Sequence, residues 1–282
     1  MQILLIEDDA MLSTALSRGL NEQGITPAQL THCKELATLP TLLRQQSFDV
    51  VICRQYHHQA REGVRLLQEA HYLGLLEPGC VLLLLDEDHD QLQFPPSDLY
   101  FPLLLPMPFT ADQLTASLRE LVQLTGLTRT LPAPMKLREW QVSCALCEDL
   151  LYQQQKHREL GPLLDRIKGY MLLQQQDHFH AAQHYAVCTT EHDAWWPRKG
   201  LIHALLGLNK LESARKDLAR NRERLPAPLQ LELALACLLH ERQWEGAWDV
   251  LTLLLQKQAW QPEWRQAAIL LALLLKDEGK AL

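Results

Sequence analysis

The sequence predicts two structural classes in one chain: a doubly wound α/β region built on five parallel strands, then an all-α region of repeated helices. Three observations carry this. Short apolar runs alternate with amphipathic helical patterns over the first ~125 residues, the grammar of a parallel sheet. Beyond Thr125 only helical periodicity remains. In that second part, small residues return at spacings of 32, 33 and 34 residues.

The first strand is expected at Gln2–Ile6, and it runs into three carboxylates, Glu7, Asp8 and Asp9. Leu12, Ala15, Leu16, Gly19 and Leu20 then form one helical stripe, which Gly24 is placed to stop. Pro27–Cys33 and Asp49–Cys53 read as the second and third strands, with Arg54 following the third. A second stripe comprises Val64, Leu67, Ala70 and Leu73. Strands at Cys80–Leu85 and Leu103–Pro106 follow, and Leu114, Leu118, Leu121 and Val122 close the region. Between Asp90 and Pro102, Pro95, Pro96 and Pro102 forbid a regular helix of normal length. Thr125–Met135, with its Gly, Thr and two prolines, reads as a linker. The expected divisions are therefore 1–124, 125–135 and 136–282.

Composition narrows the function. A net charge of -7 argues against a nucleic-acid binder, which needs a basic stripe to displace counterions. The seven cysteines are scattered through apolar runs, as expected of reduced thiols in a cytoplasm. The first strand begins almost at Met1, leaving no room for a signal peptide, and no apolar run is long enough for a membrane span. A soluble cytoplasmic protein with protein partners is expected, neither membrane nor nucleic acid being among them.

Ligands of doubly wound sheets gather at the carboxyl ends of the strands, where Glu7 and Asp8 would present oxygen ligands suited to Mg²⁺. The element order, this acid pair and the later Met107-Pro108-Phe109-Thr110 resemble the bacterial response-regulator receiver domain over residues 1–124. The resemblance implies a flavodoxin-like fold and an aspartyl-phosphate site. Glu7 and Asp8 match the metal-binding acids, but Arg54 falls at the phosphoacceptor aspartate. Leu85 falls at the Thr or Ser that contacts the phosphoryl group, Met107 at the lysine, and Leu104 at the aromatic switch position. A guanidinium is no nucleophile, so the resemblance implies a receiver that takes no phosphoryl group. Arg54 is placed to pair with Glu7 or Asp8. The alternatives are that it points to solvent, or that a residual weak Mg²⁺ site survives; otherwise no cofactor is expected.

In the second half, segments ending at Ala182, Ala214, Ala247 and Ala281 align. Leu173, Leu205, Leu238 and Ala272 lie nine residues before them, and Tyr170, Ile202, Leu235 and Ile269 twelve before. The pattern resembles the tetratricopeptide repeat, a helix–turn–helix unit of ~34 residues; the last unit is incomplete at Leu282. The resemblance implies a partner-binding inner face, and places Trp196, Lys199 and His203 on it. Cys144 and Cys147 lack a second pair for zinc, and His180 with His184 lacks an intervening carboxylate. His57 and His58 are expected in a loop beside the pocket. Lys216–Leu225 mixes bases with acids, as a solvated helix face does. No catalytic set is found, so no enzyme is expected. The reading is a non-phosphorylatable pseudo-receiver that binds a sensor histidine kinase, or its phosphotransfer or receiver partner, and inhibits phosphotransfer. The alternative is a phosphorylation-independent scaffold or transcription-regulatory adaptor, as a homodimer.

Overall fold

A computed structural model of the chain describes residues 1–54, 62–86, 100–153, 161–257 and 262–277. Strands β1 (Ile3–Ile6), β2 (Leu30–Cys33), β3 (Val50–Arg54), β4 (Val81–Asp86) and β5 (Phe101–Pro106) form one parallel sheet of order β2-β1-β3-β4-β5. That order is the flavodoxin-like arrangement, with its topological switch between β1 and β3. The central strands are buried on both faces, which explains their unbroken apolar runs. Pro102 and Pro106 fall in β5, an edge strand, where a missing N–H costs no ladder bond. Residues 90–99 of the proline-rich stretch, like His57 and His58, lie outside the described residues.

Among the described residues, the helices of this region are α1 (Ala10–Glu22), α2 (Leu39–Gln45), α3 (Glu62–Tyr72) and α4 (Ala111–Thr128). Gly24 stands just past α1 with φ of 85°, the left-handed stop its sequence position implied. Thr110 caps α4, its hydroxyl accepting from the Gln113 N–H while Gln113 reaches back to the Thr110 N–H.

The expected linker at 125–135 is instead largely helical. α4 continues to Thr128, where the Thr125 and Thr128 hydroxyls donate to the carbonyls of Leu121 and Leu124 at 2.8 and 2.9 Å. Pro132 opens α5 (Pro132–Lys136) from a first-turn position that needs no N–H. Leu131 and Met135 are buried, and α6 (Trp140–Gln153) follows. Composition misled because Thr can bond its own helix and Pro can start one. The two compact units are Met1–Leu163 and Leu164–Leu282, so the division falls some thirty residues later than expected.

The second unit is a series of paired helices: α7 (Gly161–Gln174) with α8 (His178–Glu191), α9 (Trp196–Gly207) with α10 (Leu211–Arg220), and α11 (Ala227–His240) with α12 (Trp244–Lys257), then α13 (Pro262–Asp277). Each pair turns through one left-handed residue, Gln176, Asn209 or Arg242, with φ of 60°, 55° and 57°. These lie 33 residues apart. The fully buried alanines keep the same period at Ala181, Ala214 and Ala247. The anchor expected at Ala182 is therefore one residue late, and the first pair has Leu172 and Gly169 where Leu173 and Tyr170 were expected. Ala281 lies outside the described residues. Gly169 of α7 and Gly200 of α9 both abut the buried ring of Tyr185 on α8, where a methyl at either glycine would overlap it.

Candidate functional site

Parallel register decides what meets at the carboxyl end of the sheet. Ile6 pairs with Cys53, so the next residues along, Glu7 and Arg54, stand side by side; Arg54 in turn pairs with Leu85 of β4. Glu7 is buried, and its Oε1 accepts the Asp9 N–H at 2.9 Å. The Arg54 guanidinium approaches the same oxygen, Nη1 lying 4.0 Å away. That distance is the outer limit of an ion pair, so the attraction is real but weak. Among the described residues, no donor reaches Glu7 Oε2.

Burial therefore dominates the electrostatics. It raises the Glu7 carboxyl above its ordinary value, while the Asp9 N–H and the Arg54 charge pull the other way and the neighbouring Asp8 adds to the rise. Asp8 is exposed. Asp9, the third carboxylate, is consumed by structure: it caps α1, accepting from the N–H groups of Met11 and Leu12 at 2.8 and 3.0 Å.

The remaining pocket residues are apolar. Leu85 is buried, Met107 is half-buried just beyond β5, and Leu104 is exposed on β5. Cys53, beside Arg54, is buried, and burial with the Glu7 charge pushes its thiol far up, out of nucleophilic range. The residues present do not fit Mg²⁺: one acid is buried under a guanidinium, one is exposed, and one caps a helix. A protonated guanidinium such as that of Arg54 carries five donors and no acceptor lone pair.

The expected partner-binding set is not brought together as a surface. Trp196 is only 8% exposed and packs its ring on Tyr185 and His192, with centroids 6.2 and 5.5 Å away. It fills the core of the first helix pairs, because a Trp at the start of α9 faces the preceding α8. Lys199 and His203 lie on the same helix, half-buried. Trp195, Trp244, Trp248 and Trp264 likewise pack against buried clusters, and Trp260 lies outside the described residues. Cys144 and Cys147 are buried thiols of α6. Within Lys216–Leu225 the basic residues Lys216, Arg220, Arg222 and Arg224 are all exposed, and the chain turns inward at the buried Leu225.

His180 and His184 do not act as a pair. His180 bonds the Asp177 carboxylate that caps α8, at 2.8 Å, whereas His184 turns inward to the Asp165 carbonyl at 2.7 Å. Sequence reasoning missed Asp165, Cys188 and His192, which the fold gathers near His184. The available signal was the four-residue step from His184 to Cys188 to His192, which puts the first two on one helix face and the third at the helix C-cap.

Among the described residues, no helix is long and apolar enough to cross a membrane. No family model matches the chain, and no curated protein matches it. Among solved structures, it is similar to the receiver domain of the Francisella response regulator 1452, at 19% identity and a TM-score of 0.33, over 44% of this chain and 98% of that one.

Proposed function

We propose that this chain is a cytoplasmic bacterial pseudo-receiver, a regulator without catalysis of its own that inhibits phosphotransfer in a two-component system. The observation that carries the reading is Arg54, at the end of β3, 4.0 Å from the buried Glu7. A receiver needs a carboxylate at that strand end and a metal beside it; here a cation occupies the place of both. A receiver-like surface that takes no phosphoryl group can still dock on a kinase and obstruct a competent regulator. The paired helices of the second unit, read as a tetratricopeptide-like array, would supply a second contact and raise the effective concentration of the first.

Two measurements test this. Intact mass after treatment with a small phosphodonor and Mg²⁺ is expected to be unchanged; a gained phosphoryl group would overturn the reading. A histidine kinase captured from the source cell with the full chain should then transfer more slowly to its regulator when the chain is added. Unchanged transfer at saturating chain sinks the inhibitor reading.

A further inference from the structure

Helix α8 presents His184 and Cys188 four residues apart, its extended C-cap His192 follows four residues later, and α7 brings Asp165 against them. One donor atom each from Asp165, His184 and Cys188 lies within 4.8 Å of the other two. The Cys188 sulfur is 3.6 Å from His184 Nε2, and His192 Nε2 is 3.3 Å from Asp165 Oδ2. Tetrahedral zinc holds sulfur, nitrogen and oxygen at about 2.0–2.3 Å, which separates neighbouring ligands by roughly 3.3–3.8 Å. The sulfur–nitrogen spacing already falls in that range, and the other donors need only side-chain adjustment.

We propose that Asp165, His184 and Cys188 bind one zinc-class divalent cation, with His192 holding the Asp165 carboxylate in position. A mixed set of thiolate, imidazole and carboxylate selects zinc-like ions over Mg²⁺ or Ca²⁺. It is distinct from the acidic pocket at the sheet end, and no metal is expected here from residue spacing alone. His192 has the character of a supporting residue: its ring is set against Trp196, and its nitrogen bonds the carboxylate rather than approaching the sulfur. On coordination, the neutral His184 imidazole changes tautomer, its proton leaving Nε2 and another being taken up at Nδ1 through solvent, and Nε2 exchanges its bond to the Asp165 carbonyl for the metal. The cation replaces the Cys188 proton, which is released to solvent, and a water completes the coordination. Burial and the charges of Asp165 and Glu191 otherwise keep that thiol protonated, pushing it up to about 12, and a bound dication reverses the balance. The ion would join α7 to α8 at the start of the helix pairs.

The probe is Co²⁺, titrated into the full reduced chain and then displaced by Zn²⁺. One equivalent is expected to bind, with a thiolate-to-cobalt charge-transfer band that Zn²⁺ removes. Cys188→Ser should abolish the band. His192→Gln should keep it while weakening affinity about 10–100-fold, as loss of an outer-shell partner does. Absence of the band in the unaltered chain overturns the proposal without reference to any variant. So does a band that persists in Cys188→Ser, or a His192→Gln variant with unchanged affinity, which would remove the role given to His192. Circular dichroism of each variant establishes that it has folded.

Discussion

Replacing Gly200 with alanine sets two effects against each other within one helix. In the interior of α9, alanine is favoured over glycine by about 1 kcal/mol. The new methyl, however, would enter the envelope of the Tyr185 ring. The ring has no easy retreat, because Gly169 of α7 lies against it too: a methyl there would stand 2.6 Å from Cε1 and 2.7 Å from the hydroxyl. Carbon atoms pack comfortably at about 3.5–4.0 Å, so relief needs a shift of roughly 1 Å in a ring that is 2% exposed. Overpacking of this kind costs about 1–3 kcal/mol, sometimes more, and it outweighs the propensity gain. Gly200→Ala should therefore lower stability by up to about 2 kcal/mol, the overpacking cost less the propensity gain. Urea unfolding followed by tryptophan emission reads the loss, Trp196 on the same ring being one of seven tryptophans that contribute. The decisive arm is Tyr185→Ala, which loses stability alone but removes the obstruction; in that background Gly200→Ala should become neutral or stabilising. A Gly200→Ala protein as stable as the original, or a penalty unchanged without Tyr185, would refute the slot.

At the sheet end, the raised Glu7 carboxyl contributes stability that is present below its ordinary value of 4.5 and is lost as pH rises through its folded value. Glu7→Gln keeps an oxygen for the Asp9 N–H, so its urea midpoint should depend less on pH above 4.5; an identical slope in both proteins would discount the burial argument. His71 has the opposite sign. Burial lowers it below its ordinary 6.5, while its Nδ1 is 2.7 Å from the Tyr100 hydroxyl. Stability should therefore fall as pH drops below 6.5, because the unfolded chain takes the proton first. His71→Asn, which retains a polar atom near that hydroxyl, should flatten this acid limb, and an unaltered limb would assign it to other groups.

The α/β half was legible because the inner strands β1, β3 and β4 are buried apolar runs, although the edge strand β2, Leu-Thr-His-Cys, is only partly buried, and because parallel register follows from strand order. That register places Glu7 beside Arg54 and Leu85 across from it. What the sequence could not give is the balance at that contact: whether the guanidinium or burial governs Glu7 depends on a few tenths of an ångström and on how much protein covers the carboxylate. Asp9 shows the same limit, since a third acid after a strand reads equally as ligand or helix cap. In the helical half, the period was visible but its phase was not. Ala181 and Ala182 are adjacent small residues, and only the left-handed turn at Gln176 distinguishes them. Trp196 was misplaced for a related reason. A large aromatic at a helix start suits an interface and a core equally well, and the side that α8 occupies decides between them.

A metal ion exchanges with solvent, and its presence follows its concentration. The guanidinium of Arg54 is covalently part of β3, so it is supplied at one fixed stoichiometry and has no dissociation rate. The charge facing Glu7 is accordingly indifferent to chelators and to changes in cellular Mg²⁺, conditions that would strip a metal-dependent pocket of its cation.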